Sequence, residues 1–265
     1  MNIFIEGIQG TGKSTLLTKL GQALPDYQVY REGDLSPAEL AWCSYMSARE
    51  FQEALKCFPK LEQEIMGKTM REEEQYVTAY TQILTEEPGF YGYMEQYEIY
   101  NGRKQEQAFH DIIRKRYEAL TGTRQIFECS FFQNSLETMM LFYENTDEEI
   151  FNFYREMYGI LKEKDFLLLY LETEDLEEII LRIKKERSDI HGEEMWYPLM
   201  INYLKESPYG QRHHYETFQD MIAHFRRRWK LEKQMITDFL GERCMILPAG
   251  KYDLNRVLEQ IRTVQ

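Results

Sequence analysis

Eight residues near the start of the chain, Gly7-Ile8-Gln9-Gly10-Thr11-Gly12-Lys13-Ser14, constrain its fold more than any other stretch. The short apolar run Ile3-Phe4-Ile5 precedes them, and Leu16, Leu17 and Leu20 recur at helical spacing after them, which predicts strand, loop and helix in that order. Glycines let backbone N–H groups converge on an anion without a Cβ in the way, and the N-terminus of the following helix adds its dipole. In that setting Gly-x-x-x-x-Gly-Lys-Ser is a phosphate cradle, with Lys13 as a point charge for the β and γ phosphates and Ser14 as a hydroxyl for a divalent cation. The site takes in Gly7, Gln9, Gly10, Thr11, Gly12, Lys13, Ser14 and Thr15, the last of which also reads as an ordinary helix residue.

Further strands are expected over Gln28-Val29-Tyr30, at Ile126-Phe127 leading into Glu128, over Phe166 to Leu171, and over Cys244 to Leu247. The run at Phe166 is continuously apolar, as in a parallel sheet buried on both faces. Helical patterns separate these strands, so the expected fold is α/β, a P-loop NTPase with three α/β/α layers and a five-stranded, mostly parallel sheet whose ligand site lies at the carboxyl ends of the strands. Ser36-Pro37-Ala38-Glu39 has the residues of a capping box and predicts a helix start. From about 37 to 120 the chain is polar, Tyr-rich and helical in pattern, broken near Pro59, Pro88-Gly89 and Asn101-Gly102. This predicts one domain over 1–265 with a helical insertion.

The opening from Ile3 to Thr15 resembles that of thymidylate kinases and deoxynucleoside kinases. Three further stretches are similar to motifs of that group: Arg31-Glu32-Gly33 to its Glu-Pro stretch, Glu128-Cys129-Ser130 to its acidic-Arg-Ser/Tyr motif, and Arg182-Ile183-Lys184-Lys185-Glu186-Arg187 to its arginine-rich lid. The resemblance implies ATP- and Mg²⁺-dependent phosphoryl transfer to a small acceptor, a nucleoside or nucleoside monophosphate. Cys129 stands where the group carries an Arg, so one cation of the family pattern is missing.

The residues support this independently. A carboxylate after the second strand can accept a hydroxyl proton or orient the acceptor, a role for Glu32 or, since Gly33 lets the chain turn, for Asp34. Asp34, just ahead of Ser36-Pro37, reads also as simple support for the helix start. Glu128 ends a buried strand, where a carboxylate is costly unless paired, and the Mg²⁺ on Ser14 is the expected partner, while the resemblance equally implies a contact with the acceptor. Ser130 would bond the acceptor or cap the next helix. Leu176, Ile179, Ile180 and Ile183 form an apolar stripe that leaves Arg182 and Arg187 on its flanks, either as a solvated face or as a lid over about 182–192, with Asp189 and Gly192 breaking the helix. Tyr97, in an aromatic stretch with Phe90, Tyr91, Tyr93 and Tyr100, would stack on an acceptor ring or simply pack.

A net charge of −13 argues against duplex nucleic acid as a partner. No apolar run reaches the length of a membrane span, and no signal peptide precedes the first strand, so a cytoplasmic protein is expected. Four scattered cysteines fit reduced thiols. Arg226-Arg227-Arg228 reads as a solvated helix face or, alternatively, as a site for a phosphate or an acidic partner, and His213-His214 has no ligands at metal spacing. Neither a Gly-x-Ser-x-Gly elbow nor the Asn-Lys-x-Asp run that reads guanine is present. A second copy of the chain, docked across an aromatic helix surface, would make a homodimer. The competing function is a non-enzymatic ATP sensor whose insertion reports the bound state to a protein partner.

Overall fold

A computed structural model describes residues 1–188 and 194–264. Its strands, in chain order, are β1 (Asn2–Gly7), β2 (Gln28–Tyr30), β3 (Ser44–Ser47), β4 (Thr69–Glu72), β5 (Gln75–Thr78), β6 (Gln125–Glu128), β7 (Phe166–Glu172) and β8 (Cys244–Pro248). Two compact units result: Met1–Val29 with Gly122–Gln265, and Tyr30–Thr121.

The first unit carries the five-stranded sheet, in the order β2-β6-β1-β7-β8. β1 runs parallel to both β6 and β7, and β7 parallel to β8. This is the expected α/β sheet, with β1 in the middle and the glycine loop at its carboxyl end, where ligands of open parallel sheets bind.

Side-chain alternation along the strands explains the layering. Ile3 and Ile5 of β1, with Leu167, Leu169 and Leu171 of β7, face one side, where Leu16, Leu17 and Leu20 of the Lys13–Ala23 helix and Val257 and Ile261 of the Leu254–Val264 helix cover them. Phe4 faces the other side and stacks on Phe127 at 5.0 Å between ring centroids, with Phe131 at 6.3 Å and Phe166 at 6.1 Å. Both faces of the sheet are therefore buried, which is why β1 and β7 read as apolar runs and not as alternating ones.

The second unit departs from the helical insertion expected over 37–120. β3, β5 and β4 form an antiparallel sheet in that order. Around it pack Phe51, Phe58, Ile65, Tyr80, Phe90 and Met94. The helix expected at Ser36-Pro37 does not form, and the first helix of this unit is Ala48–Cys57, capped by Ser47 and Glu50 in a reciprocal capping box. The breaks at Asn101-Gly102 and Gly89 are turns with positive φ. Among the described residues no helix is long and apolar enough to cross a membrane.

Candidate functional site

The glycine loop is built by conformations that side chains resist. Gly7, Gly10 and Gly12 have φ of 139°, 81° and 96°, and a Cβ on Gly7 would lie 2.5 Å from the carbonyl oxygen of Leu171 on β7. Thr11 steadies the bend by donating its hydroxyl to Ile8 O at 2.8 Å. Lys13, almost fully buried, donates its ammonium to Gly7 O at 2.7 Å and Ile8 O at 3.2 Å. The Ser14 hydroxyl donates to the Glu128 carboxylate. Two residues expected to share one cation, 114 positions apart, thus meet at the start of the helix.

The other site candidates differ in their surroundings. Arg182 reaches the loop, donating Nη2 to Gly10 O at 3.1 Å while its Nε lies 3.7 Å from Glu186. Arg187 instead lies 6.0 Å from the Trp196 ring centroid. The lid breakers Asp189 and Gly192 lie outside the described residues. Ser130 is buried and donates to Glu128 O at 3.1 Å; the next helix, Gln133–Leu141, has Phe132 and not Ser130 at its N-cap, with Glu6 accepting from Phe131 N at 2.6 Å. Between them Cys129 takes φ of 56°, a left-handed backbone where side chains are strained, a frequent mark of functional sites. Its amide bonds Ile5 O at 3.1 Å, which ties the bend to β1.

Glu32, Asp34 and Tyr97 belong to the Tyr30–Thr121 unit. Asp34 N bonds Arg31 O at 3.1 Å, closing a turn over Glu32 and Gly33 with Gly33 at φ 90°. The Asp34 carboxylate supports that turn, accepting from Arg31 N at 2.7 Å and from Gln82 Nε2 at 2.8 Å. Glu32 is half-buried at its apex. Tyr97 packs edge-on against Tyr93 at 5.6 Å, beside the aromatic core of that unit. Trp42, a further residue beside this turn, is 48% exposed at φ 60°.

The structure corrects the reading of Arg226-Arg227-Arg228 as a solvated face. Of the three only Arg226 is exposed; Arg227 pairs with Asp147 at 2.7 Å, and Arg228 is completely buried. The Arg228 guanidinium donates Nε to Glu232 at 2.7 Å, Nη1 to Glu137 at 2.7 Å and to Gln9 Oε1 at 2.9 Å, and Nη2 to Gly7 O at 3.3 Å. Glu232 also accepts from the Tyr170 hydroxyl at 2.6 Å, and Glu137 from His224 Nε2 at the same distance. Burial opposes charge on Arg228, but Glu232 and Glu137 override it and raise its pKa. Burial likewise works against an ionised Glu137, yet His224 and Arg228 bring it down to about 2. The helical spacing of Met221, Phe225, Arg228, Glu232 and Met235 placed these charges on a buried face.

Glu6 was also missed. It sits opposite Tyr170 in the β1–β7 register and is fully buried, and burial above all raises its pKa to about 7. Its signal was a carboxylate within an apolar strand, immediately before the first glycine.

The central parallel sheet, flanking helices and glycine loop together define a P-loop NTPase-type α/β/α fold. No protein-family model matches the sequence, and no curated protein matches it either. Among solved structures the chain is similar to a deoxyadenosine kinase from M. mycoides with bound dCTP, at 16% identity and a TM-score of 0.39, over 99% of this chain and 97% of that one. The same enzyme with bound dATP gives 16% and 0.39, over 99% and 98%. A thymidylate kinase from Candida albicans gives 12% and 0.34, over 99% and 89%. It is the strand order and the loop geometry of this chain that define its fold.

Proposed function

We propose that the chain is a P-loop phosphotransferase that moves the γ phosphoryl group of ATP, with Mg²⁺, to a small-molecule acceptor, a nucleoside or nucleoside monophosphate. The observation that carries the reading is the Ser14–Glu128 contact beside Lys13 at the mouth of the glycine loop. A hydroxyl and a carboxylate are hard oxygen donors, which suits Mg²⁺, an ion that takes few protein ligands and leaves its remaining positions to phosphate and water. When bound, the ion supplies neutralisation of charge on the β and γ phosphate oxygens. Lys13 would add its ammonium to the same oxygens by leaving the Gly7 and Ile8 carbonyls, and Arg182, already at Gly10 O, would close over them from the Leu176–Glu186 helix.

Glu32 is proposed as the group that orients the acceptor hydroxyl or takes its proton, because it follows the second strand within the stretch similar to the Glu-Pro motif of thymidylate and deoxynucleoside kinases. Support for a nucleoside acceptor comes from the resemblance of the strand-end motifs. All four cysteines are free, in keeping with a cytoplasmic protein.

The test is turnover with labelled ATP over a panel of nucleosides, nucleotides, sugars and antibiotics. Lys13→Ala should lower turnover about 100-fold or more, and Glu32→Gln roughly 100-fold with ATP affinity retained. Unchanged turnover in both variants would sink the proposal. ATP-dependent binding of a protein partner, with no acceptor phosphorylated, would favour the sensor instead.

A further inference from the structure

The Arg228 cluster lies behind the phosphate loop, and none of its charged groups has a part in the chemistry above. Replacing a buried ion cluster by well-packed apolar side chains is often neutral or stabilising, so stability alone is a weak reason for placing a guanidinium there. What distinguishes this one is its reach. A single side chain joins the loop after β1 through Gly7 and Gln9, the helix after β6 through Glu137, and β7 through Glu232 and Tyr170.

We propose that Arg228 is a positioning residue that fixes the polarity of the Gln9 amide, so that Gln9 offers its Nε2 N–H groups, and not its oxygen, to the anion held by the phosphate loop. Donor and acceptor chemistry fixes the amide. A guanidinium carries only donors, so the Gln9 atom 2.9 Å from Arg228 Nη1 has to be the oxygen; a flipped amide would set donor against donor. Arg228 cannot turn to accommodate a flip, because Glu232, Glu137 and Gly7 O hold its other donors and the residue has no exposed surface. Both N–H groups of Gln9 remain for another partner: among the described residues none accepts from them, and Gln9 is only half-buried. The Gly7 carbonyl that receives Arg228 also receives Lys13, so the same guanidinium supports the lysine's resting place. An amide oxygen aimed at phosphate would repel it, whereas a fixed pair of N–H donors suits a phosphoryl oxygen.

The proposal rests on the phosphate-loop reading for the identity of the ligand, and its test separates the two. Binding of inorganic tripolyphosphate and of ADP, each with Mg²⁺, is measured calorimetrically for the parent, Gln9→Met, Arg228→Lys and the double variant. Each single substitution should weaken tripolyphosphate binding about tenfold, the worth of one hydrogen bond to a charged group. The double variant should bind no more weakly than either single one, because Arg228 acts through Gln9. Parent-like affinity in Gln9→Met, or losses that add, would overturn the proposal; a merely structural Arg228 would lower the unfolding temperature without that coupling.

If the parent binds neither probe, the phosphotransferase reading fails. The positioning claim is then decided by amide hydrogen exchange of the free protein, where Gln9→Met and Arg228→Lys should each speed exchange over Gly7–Gly12 about tenfold and leave Lys13–Ala23 unchanged. Parent-like loop exchange would overturn it. Where Arg228→Lys does not fold, the Gln9→Met measurements decide alone, by the same outcomes.

Discussion

Gly10→Ala adds one methyl group at a place where backbone and packing both oppose it. With φ at 81°, any L side chain there meets the left-handed penalty of about 1–2 kcal/mol. The added Cβ would also stand 2.3 Å from Ile183 Cδ1, 2.4 Å from Ile183 Cγ1 and 3.0 Å from Ile179 Cγ2. Ile183 is 2% exposed, and its Cγ1 is not the free end of a flexible chain, so the Leu176–Glu186 helix has to move. Overpacking of this kind costs about 1–3 kcal/mol, which makes the expected loss about 2–5 kcal/mol in all. Gly12→Ala is the matched control. Its φ of 96° carries the same backbone penalty, but a Cβ there meets no atom within 4 Å among the described residues, so about 1–2 kcal/mol is expected. Urea unfolding, read as a shift in midpoint at constant slope, measures both. Ile183→Ala alone should cost about 2–5 kcal/mol, and combining it with Gly10→Ala should cost less than the sum by the overpacking part, about 1–3 kcal/mol. Gly10→Ala as mild as Gly12→Ala, or strict additivity with Ile183→Ala, would refute the claim that this helix closes directly on the loop.

Glu6→Gln tests the buried carboxyl. Folded Glu6 keeps its proton to about pH 7, while the unfolded group releases it near 4.5, so its contribution is complete below pH 4.5 and lost as pH rises to 7. Between pH 4 and pH 8 the parent should lose about 3 kcal/mol more stability than Glu6→Gln, and parallel pH profiles would contradict the assignment. In the other unit, Arg116 is buried and donates to Glu72 and to Ser36 O. Arg116→Met should destabilise by roughly 3 kcal/mol in thermal unfolding, and Glu72→Gln by less, since Glu72 is partly exposed; equal effects would show that the bond to Ser36 O contributes nothing.

Elements with a long or distinctive pattern were legible in the sequence. β7 is a seven-residue strand with six buried positions in succession, and β1 is fixed by the glycines behind it. Ser36 to Glu39 misled because a capping box needs two reciprocal bonds. Ser36 Oγ does accept from Ala38 N and Glu39 N, at 3.2 and 3.3 Å, but the Glu39 carboxylate turns forward to Ala41 N, which leaves a turn without a helix. β3, β4 and β5 are four residues each, too short for a period of two to stand out from a helical background. Gln9 and Arg228 are 219 positions apart, and no local pattern pairs them.

The two acids of the central strands show how the fold assigns roles that composition leaves open. Glu6 and Glu128 each close a buried strand beside the glycine loop, and by residue type either could serve a cation. Strand parity places Glu6 on the face of Phe4, opposite Tyr170 and under the influence of Glu232, where burial makes the neutral form the stable one to about pH 7. Its Oε1 is taken by Phe131 N, so it serves as a support for the start of the next helix. Glu128 lies at the end of β6, where the chain bends through the left-handed Cys129, and its carboxylate meets the Ser14 hydroxyl at the loop. A divalent cation requires oxygen donors that converge beside the phosphates and can carry charge. Of the two acids, only Glu128 meets the Ser14 hydroxyl at the loop, which is why the proposal gives the cation role to Glu128 and leaves Glu6 a structural one.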